Sequence, residues 1–234
     1  MKKEIYTDFA WECLRRNKNY INAWKINESK ITENERQQHI DLDAEIRWGL
    51  LKYVNPEHSR PEKVFWSPKL SKKSLPIILG KNGDFAWKNI VKNSEVRHEK
   101  IFLLDGSLCI KIFNHNDYFQ FFISDASELT DESKIFLYMP LSLNNSTRNR
   151  NIDIINSIFN DKVETANREG QQQDLLDTID GINEGFSHRA IASRIFGEQL
   201  VESEWSSDSW LRANIRYRIK KAINLIDTGY LNYL

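Results

Sequence analysis

The chain has 234 residues, of which 40% are hydrophobic and 28% are charged. This composition excludes a disordered chain and is enough for one or two folded domains. The 33 basic residues balance the 33 acidic ones, so any attraction to phosphate must come from local clustering of charge. The polar N-terminus and the lack of a long apolar run predict a cytoplasmic protein without a membrane segment.

The first predicted module, residues 1–58, is helical. Apolar residues at helical spacing predict an amphipathic helix over residues 7–25, broken near Asn17 and capped at its start by Thr7 or Asp8. A second helix is predicted over residues 40–53. Its predicted inward side carries Leu42, Ile46, Leu50 and Tyr53.

The second predicted module, residues 59–143, consists of short apolar runs bounded by Pro, Gly, Asn and Asp, a texture that favours strands. The predicted strands are residues 64–66, 75–79, 101–104, 108–113, 118–123 and 135–139. The Asp105-Gly106 pair and a turn at 114–117 predict a three-stranded antiparallel meander over residues 101–123. The polar residues 143–151 are the predicted linker to the last module.

The third predicted module, residues 150–234, is a helical bundle. Its three main helices are predicted over residues 171–184, 188–196 and 209–227. Gly185 ends the first, Ser187 caps the second, and Ser207 or Asp208 caps the third. The predicted inward residues of the third helix are Leu211, Ile215, Ile219, Ala222, Ile223 and Ile226. The predicted class is therefore α+β: N-terminal helices, a small antiparallel sheet, and a C-terminal three-helix bundle.

The third helix of this bundle carries charge of one sign. Arg212, Arg216 and Lys220 recur every four residues, Arg218 and Lys221 lie beside them, and no acidic residue occurs between positions 211 and 224. Cations on one helix face displace phosphate counterions together, and Arg near a helix start can reach base edges in the major groove.

A basic stripe alone is most often a solvated face, but the three-helix context favours DNA binding. The connection over residues 197–207 is longer than an ordinary helix-turn-helix turn, so we predict a variant with an insertion that Trp205 packs. The predicted DNA-binding residues are Ser187, His188, Arg189, Ser209, Trp210, Arg212, Ala213, Arg216, Tyr217, Lys220 and Lys221.

The N-terminal helix has an aromatic and basic surface, a combination that is typical of protein contacts. The candidate protein-interaction residues are Trp11, Arg15, Arg16, Tyr20 and Trp24. Core packing is the favoured role for at least two of the three aromatics.

Residues for enzymatic chemistry are sparse. The two cysteines, Cys13 and Cys109, are far apart and lack metal or redox spacing, and the five histidines fall in separate segments. The acidic segment 41–45 and the His115-Asn116-Asp117 turn are weaker candidates for metal or acid–base groups, and neither has a partner cluster. We therefore predict no catalytic residue, no metal, no cofactor and no enzyme.

Two segments resemble known regulators. Residues 9–17, which read F-A-W-E-C-L-R-R-N, followed by Tyr20, resemble the opening of a proteobacterial transcriptional-regulator-like domain. Residues 171–234 resemble the C-terminal domain of conjugative-element regulators of the FseA and QseM type. That resemblance rests on S-x-R-x-I-A-x-x-x-F-G at 187–197, on Trp205, on the basic third helix and on Gly229-Tyr230 and Leu234. The hairpin at 104–106 and the strand at 137–141 resemble the region that joins the two domains.

The resemblance implies a variant helix-turn-helix that controls excision or conjugative-transfer genes on a mobile element. It also implies contacts between an activator and an anti-activator, and two domains in one chain are similar to the activator. This chain departs from the family at residues 230–233, where the family often has arginines.

Our leading hypothesis is a cytoplasmic, nucleoid-associated regulator that binds double-stranded operator DNA. Its further partners are an anti-activator protein or RNA polymerase, and a homodimer is left open. The second hypothesis is a protein-interaction module, such as an anti-activator, whose basic helix docks on an acidic partner without touching DNA. A nuclease is the third and is disfavoured by the absence of a carboxylate or histidine cluster.

Overall fold

The computed structural model describes residues 8–29, 41–57, 60–92, 97–113, 118–139, 143–160 and 169–234. The helices are α1 (Phe9–Leu14), α2 (Lys18–Glu28), α3 (Leu42–Trp48), α4 (Lys88–Val91), α5 (Asn145–Asn160), α6 (Glu169–Asn183), α7 (His188–Phe196), α8 (Glu198–Glu204) and α9 (Trp210–Asp227). The strands are β1 (Ser74–Gly80), β2 (Arg97–Phe102), β3 (Leu108–Phe113), β4 (Tyr118–Ile123) and β5 (Lys134–Leu137). Helices together with one five-stranded sheet confirm the α+β class.

The chain divides into two compact units. Unit 1 joins Met1–Ala23 to Ala166–Tyr233, and unit 2 is Trp24–Thr165 together with Leu234. This division differs from the three predicted modules, because Arg16 and Asn17, between α1 and α2, hydrogen-bond to Asp180 and Ile226, which are more than 160 positions away. Helical periodicity describes one segment at a time and carries no information about such partners.

The sheet of unit 2 has the strand order β2-β3-β4-β1-β5. Strands β2, β3 and β4 form the predicted antiparallel meander. Strand β1 runs parallel to β4 and antiparallel to β5, so the sheet is mixed and the prediction of an antiparallel sheet is wrong at that pair. Turn signals fix the pairing of strands joined by short loops, whereas the β1–β4 pair is distant in sequence.

Residues 64–66 do not form the predicted strand. Within the described chain they make one isolated bridge, between Trp66 and Leu50. The buried side chain of Gln120 makes the hydrogen bonds to the Trp66 backbone that a neighbouring strand would make. Its Oε1 accepts from the Trp66 backbone N at 3.1 Å and its Nε2 donates to the Trp66 carbonyl at 2.6 Å. The apolar run is buried, as predicted, but a side chain satisfies its backbone.

Helix α3 presents a different face from the predicted one. Leu42 and Ile46 are 65% and 80% exposed, and the buried residues are Ala44, Glu45 and Trp48. The Glu45 carboxylate accepts from Ser67 Oγ at 2.7 Å, which holds this side of the helix inward. A buried, paired carboxylate therefore outweighed the apolar pattern.

The predicted linker is wrong, because its described residues lead directly into α5. Asn144 Oδ1 accepts from the Thr147 backbone N at 2.8 Å and so caps the first turn. Asn151 is buried, and its Nδ2 donates to the Lys72 carbonyl at 2.8 Å. The polar composition of this segment reflects these specific hydrogen bonds.

In unit 1 the predicted break at Asn17 is confirmed. Asp8 caps α1, and Asn17 Oδ1 accepts from the backbone N of Asn19 at 2.7 Å and of Tyr20 at 3.1 Å, at the start of α2. The Asn17 Nδ2 donates to the Ile226 carbonyl at 2.8 Å, at the far end of α9. One asparagine thus begins one helix and holds the end of another.

Helix α7 has the predicted bounds, with Ser187 as its N-cap and Gly197 at its end. The N-cap of α9 is Ser209, one residue beyond the predicted Asp208. The connection over residues 197–207, which was predicted to be an insertion, contains the short helix α8, in addition to the three predicted main helices α6, α7 and α9. Helix α8 escaped prediction because Val201 is its only buried residue.

Candidate nucleic-acid interface

Helix α9 is oriented by the residues it buries. These are Leu211, Ile215, Ala222 and Leu225. Ile223, predicted to face inward, is 46% exposed, and Leu225 takes its place. The opposite face carries Ala213, Arg216, Tyr217 and Lys220, spaced three, four and seven residues apart and all exposed.

A basic stripe, which we define as Arg212, Arg216 and Lys220, runs along this helix. Arg216 and Lys220 are exposed and Arg212 is half-buried. Four residues advance about 6 Å along a helix, so the three cations lie in a regular row. In the part of the chain that the structure describes, no carboxylate forms an ion pair with any of them. The row is therefore electrostatically available to an external anion.

Two further cations of α9 differ in role. Lys221 is half-buried on the other flank of the helix. Arg218 belongs to the interior of the unit: its Nη1 donates to Asp174 Oδ2 on α6 at 2.8 Å, and its guanidinium lies 5.2 Å from the ring centre of Phe196. Sequence spacing alone grouped Arg218 with the stripe, and the tertiary ion pair removes it.

The first turn of α9 holds an exposed tryptophan. Trp210 is 53% exposed, and its ring meets the edge of Phe196 at a centroid distance of 6.0 Å. Ser209 is the helix cap, accepting from the Arg212 backbone N at 3.3 Å. Trp205 is half-buried against the core of α7, α8 and α9, as predicted for the insertion.

The predicted contacts on α7 lie at its other end. Ser187, His188 and Arg189 are exposed, and Ser187 caps the helix by accepting from the Ala190 backbone N at 3.2 Å. Helix α7 is about 13 Å long, and it meets Trp210 through Phe196 at its C-terminal end. The His188 end of α7 is therefore the end of the helix that lies away from Trp210.

The packing of α1 and α2 places two aromatics of the predicted protein-interaction surface in the core, the role that the sequence favoured for at least two of the three. Trp11 and Tyr20 are fully buried and contact each other edge to face at 5.7 Å. Arg16 is also largely buried, with its Nε 2.8 Å from Asp180 Oδ1. Burial lowers its pKa, but hydrogen bonds and charge from Glu12 and Asp180 outweigh this and raise it above the ordinary value.

The other two residues of that surface stay accessible to different degrees. Arg15 is half-buried and paired with Glu12 at 2.8 Å, and Trp24 is half-buried in unit 2. The aromatic and basic pattern of α1 and α2 therefore describes mostly the core of unit 1. Its partner is the chain's own C-terminal helices.

The acidic candidates that lie within the described residues have structural partners. The acids of segment 41–45 serve the fold, since Asp41 caps α3 and Glu45 binds Ser67. Across the described residues, no group of three His, Cys, Asp or Glu side chains could hold a metal ion. The His115-Asn116-Asp117 turn lies outside the described residues. Burial raises the pKa of the Cys13 and Cys109 thiols to about 12, which disfavours the nucleophilic thiolate.

Two family models match the chain. Residues 146–234, from α5 through α9, match a family described as T6SS, transcription factor, DNA binding domain. Residues 3–51, which contain α1, α2 and α3, match the proteobacterial transcriptional regulator-like domain. These matches support a DNA-binding transcriptional regulator. No curated protein matches the chain. Over the described residues, no helix is both long and apolar enough to cross a membrane.

Proposed function

We propose that the regulator binds operator DNA by placing α9 in the major groove, as a variant helix-turn-helix in which α8 is the insertion. The basic stripe carries the proposal: its cations face outward, have no acidic neighbour along α9, and lie within the region that matches a DNA-binding family. The helix is about 27 Å long and, with side chains, about 10–12 Å wide, which fits a groove about 12 Å wide.

The contacts are divided by position. Arg212 and Arg216, nearer the helix start, read bases or position phosphates, while Lys220 and Lys221 hold the backbone. Ser209 and Trp210 lie in the first turn, nearest the groove or a flanking phosphate. Ala213 and Tyr217 lie on the exposed face between the cations. On α7, Ser187, His188 and Arg189 contact the flanking strand.

The genes under control are proposed from resemblance. Similarity to FseA- and QseM-type regulators supports an activator of excision or conjugative-transfer genes, with an anti-activator or RNA polymerase as protein partner and a homodimer as one assembly. The T6SS label of the matched family adds a second class of promoter to test. Selection of bound fragments from the genome of origin distinguishes the two classes.

Exposed aromatics favour one other function. Trp210 and Tyr217 on α9 are 53% and 67% exposed, and such residues are common in protein-binding surfaces. An anti-activator that docks α9 on an acidic partner would use the same face. Salt weakens both kinds of binding, but only the DNA-binding function requires a specific duplex.

Fluorescence anisotropy of the full chain on DNA from upstream of its own and neighbouring operons tests the proposal. Loss of one base-reading Arg costs about 1–3 kcal/mol, so Arg212→Ala/Arg216→Ala should weaken specific binding by roughly thirtyfold or more. The matched control is Lys25→Ala/Lys81→Ala, which removes two exposed cations from unit 2.

The control variant should bind as the wild type does. If folded wild-type protein binds no operon fragment at low salt, DNA binding is refuted and the interaction module replaces it. Equal loss in both double variants would show that net charge, rather than the basic stripe, sets the affinity.

A further inference from the structure

Helix α9 exposes a second stripe beside the basic one. This apolar stripe, which we define as Trp210, Ala213 and Tyr217, has members three and four residues apart. At 100° per residue its direction is roughly 90° around the helix from that of the basic stripe. Trp210 is 53% and Tyr217 is 67% exposed. Over its first two turns, the outward half of α9 is therefore divided lengthwise into a cationic side and an apolar side.

Packing against a neighbouring ring restricts the motion of Trp210. Its ring rests edge-on against Phe196, 6.0 Å away between centroids. Phe196 in turn lies under the guanidinium of Arg218, which Asp174 holds at 2.8 Å. A large exposed ring with restricted motion loses little conformational freedom on binding, which is the property of a recognition residue rather than of a mobile surface side chain.

The small residue between the aromatics has a consequence for approach. Ala213 is exposed and ends at Cβ, so the helix backbone can come closer to a surface there than at the rings on either side. The stripe thus offers two apolar faces with a shallow gap between them. Such a surface suits small apolar groups presented in a row.

The floor of the major groove presents one apolar group, the C5 methyl of thymine. Where the cations of the basic stripe position phosphates along one edge of the groove, which is one of the two roles proposed for Arg212 and Arg216, the apolar stripe, a quarter turn away, is directed at the base edges. We propose that Trp210, Ala213 and Tyr217 read thymine methyl groups, so that the regulator selects T·A pairs under the first two turns of α9. This inference rests on the proposed function.

The test replaces thymine by deoxyuridine, which lacks only the methyl group. In an operator mapped with the full-length protein, each thymine is replaced singly and the Kd is measured by anisotropy. At one to three positions the wild type should bind about fourfold more weakly, the factor that burial of one methyl group supplies. Tyr217→Ala and Trp210→Ala should each abolish that penalty at its own position.

Arg216→Ala is the matched control, because it changes the neighbouring stripe. This variant should bind both the thymine operator and the deoxyuridine-substituted operator more weakly than the wild type does. The loss of affinity caused by deoxyuridine should stay the same. Tyr217 is 67% exposed, so its replacement leaves the core of the unit intact, and circular dichroism of each variant checks this.

The outcomes separate the two proposals. If the regulator binds its operator specifically but no deoxyuridine position costs affinity, thymine reading is refuted while DNA binding stands. If Tyr217→Ala and Trp210→Ala bind both operators as the wild type does, the apolar stripe faces away from DNA and the inference is again wrong. Absence of any specific duplex refutes the proposed function itself.

Discussion

The ion pair between Arg16, in the turn after α1, and Asp180 on α6 allows a direct test of unit 1. Arg16 Nε donates to Asp180 Oδ1 at 2.8 Å, and the Asp180 side chain is 29% exposed. A hydrogen bond to a charged group is worth about 1.5–3 kcal/mol, and partial exposure reduces this to about 1–2 kcal/mol. Asp180→Ala should destabilise unit 1 by that amount, because Arg16 keeps Glu12 as its remaining partner.

Each unit carries its own reporter of opening. Cys13 is buried in unit 1 and Cys109 in unit 2, and burial raises the pKa of both thiols to about 12. A thiol reagent near neutral pH therefore labels each cysteine when its surroundings open. When opening and closing are fast, labelling follows the open population, so Asp180→Ala should speed Cys13 labelling roughly 5–30-fold. Cys109 labelling should not change.

Lys18→Ala is the matched control, because Lys18 Nζ also reaches α6, at the Asn183 carbonyl at 3.0 Å, but in an exposed position. We expect less than about 0.5 kcal/mol from its loss. Mass spectrometry of labelled peptides resolves the two cysteines. An unchanged Cys13 rate in Asp180→Ala would show that the ion pair contributes nothing. Equal acceleration of Cys13 and Cys109 would show that the two units do not open separately.

Two predictions concern unit 2. Gln120→Leu leaves the backbone N and O of Trp66 without their side-chain partners in the interior. It should lower the free energy of unfolding by about 2–4 kcal/mol and speed labelling of Cys109 but not of Cys13; wild-type labelling would contradict this. Hydrogen bonds from Ser107 lower the pKa of Asp105 in the β2–β3 turn. Because this pKa is lower in the folded state than in the unfolded state, the carboxylate stabilises the fold at pH values above the unfolded-state pKa near 3.9. That stabilisation is lost as the pH falls through the folded-state pKa. Urea unfolding should therefore show that Asp105→Asn loses less stability below about pH 4 than the wild type does. The difference should be under about 1 kcal/mol because the carboxylate is exposed. Parallel curves of stability against pH for the two proteins would exclude this contribution.

Local signals in the sequence were sufficient for several elements. The bounds of α7 follow from Ser187 and Gly197, because a cap and a stop are properties of single residues. The hairpin at Asp105-Gly106 is likewise a property of two adjacent positions. The basic stripe was also predictable from local sequence. Once the buried side of a helix is known, the helical period fixes the direction in which every other residue points.

Features that depend on distant partners were not predictable. The parallel pairing of β1 with β4, the inward turn of Glu45 and the ion pair of Arg218 with Asp174 all involve residues far apart in sequence. In each case, a group adopts a position that its local sequence pattern does not predict, because a residue distant in sequence bonds to it. Single-sequence patterns show which groups need a partner and leave the partner's identity open.

The packing of the N-terminal residues against the C-terminal helices also affects how unit 1 folds during synthesis. Asn17 holds the carbonyl of Ile226, 209 residues later. At about 5–20 residues per second, a ribosome needs roughly 10–40 s to cover that distance. Throughout that interval Trp11 and Tyr20, fully buried in the finished unit, have no core to enter. Residues 24–165 of unit 2 are synthesised in between, so most of unit 2 can fold first, and a chaperone would have its longest opportunity to bind at α1.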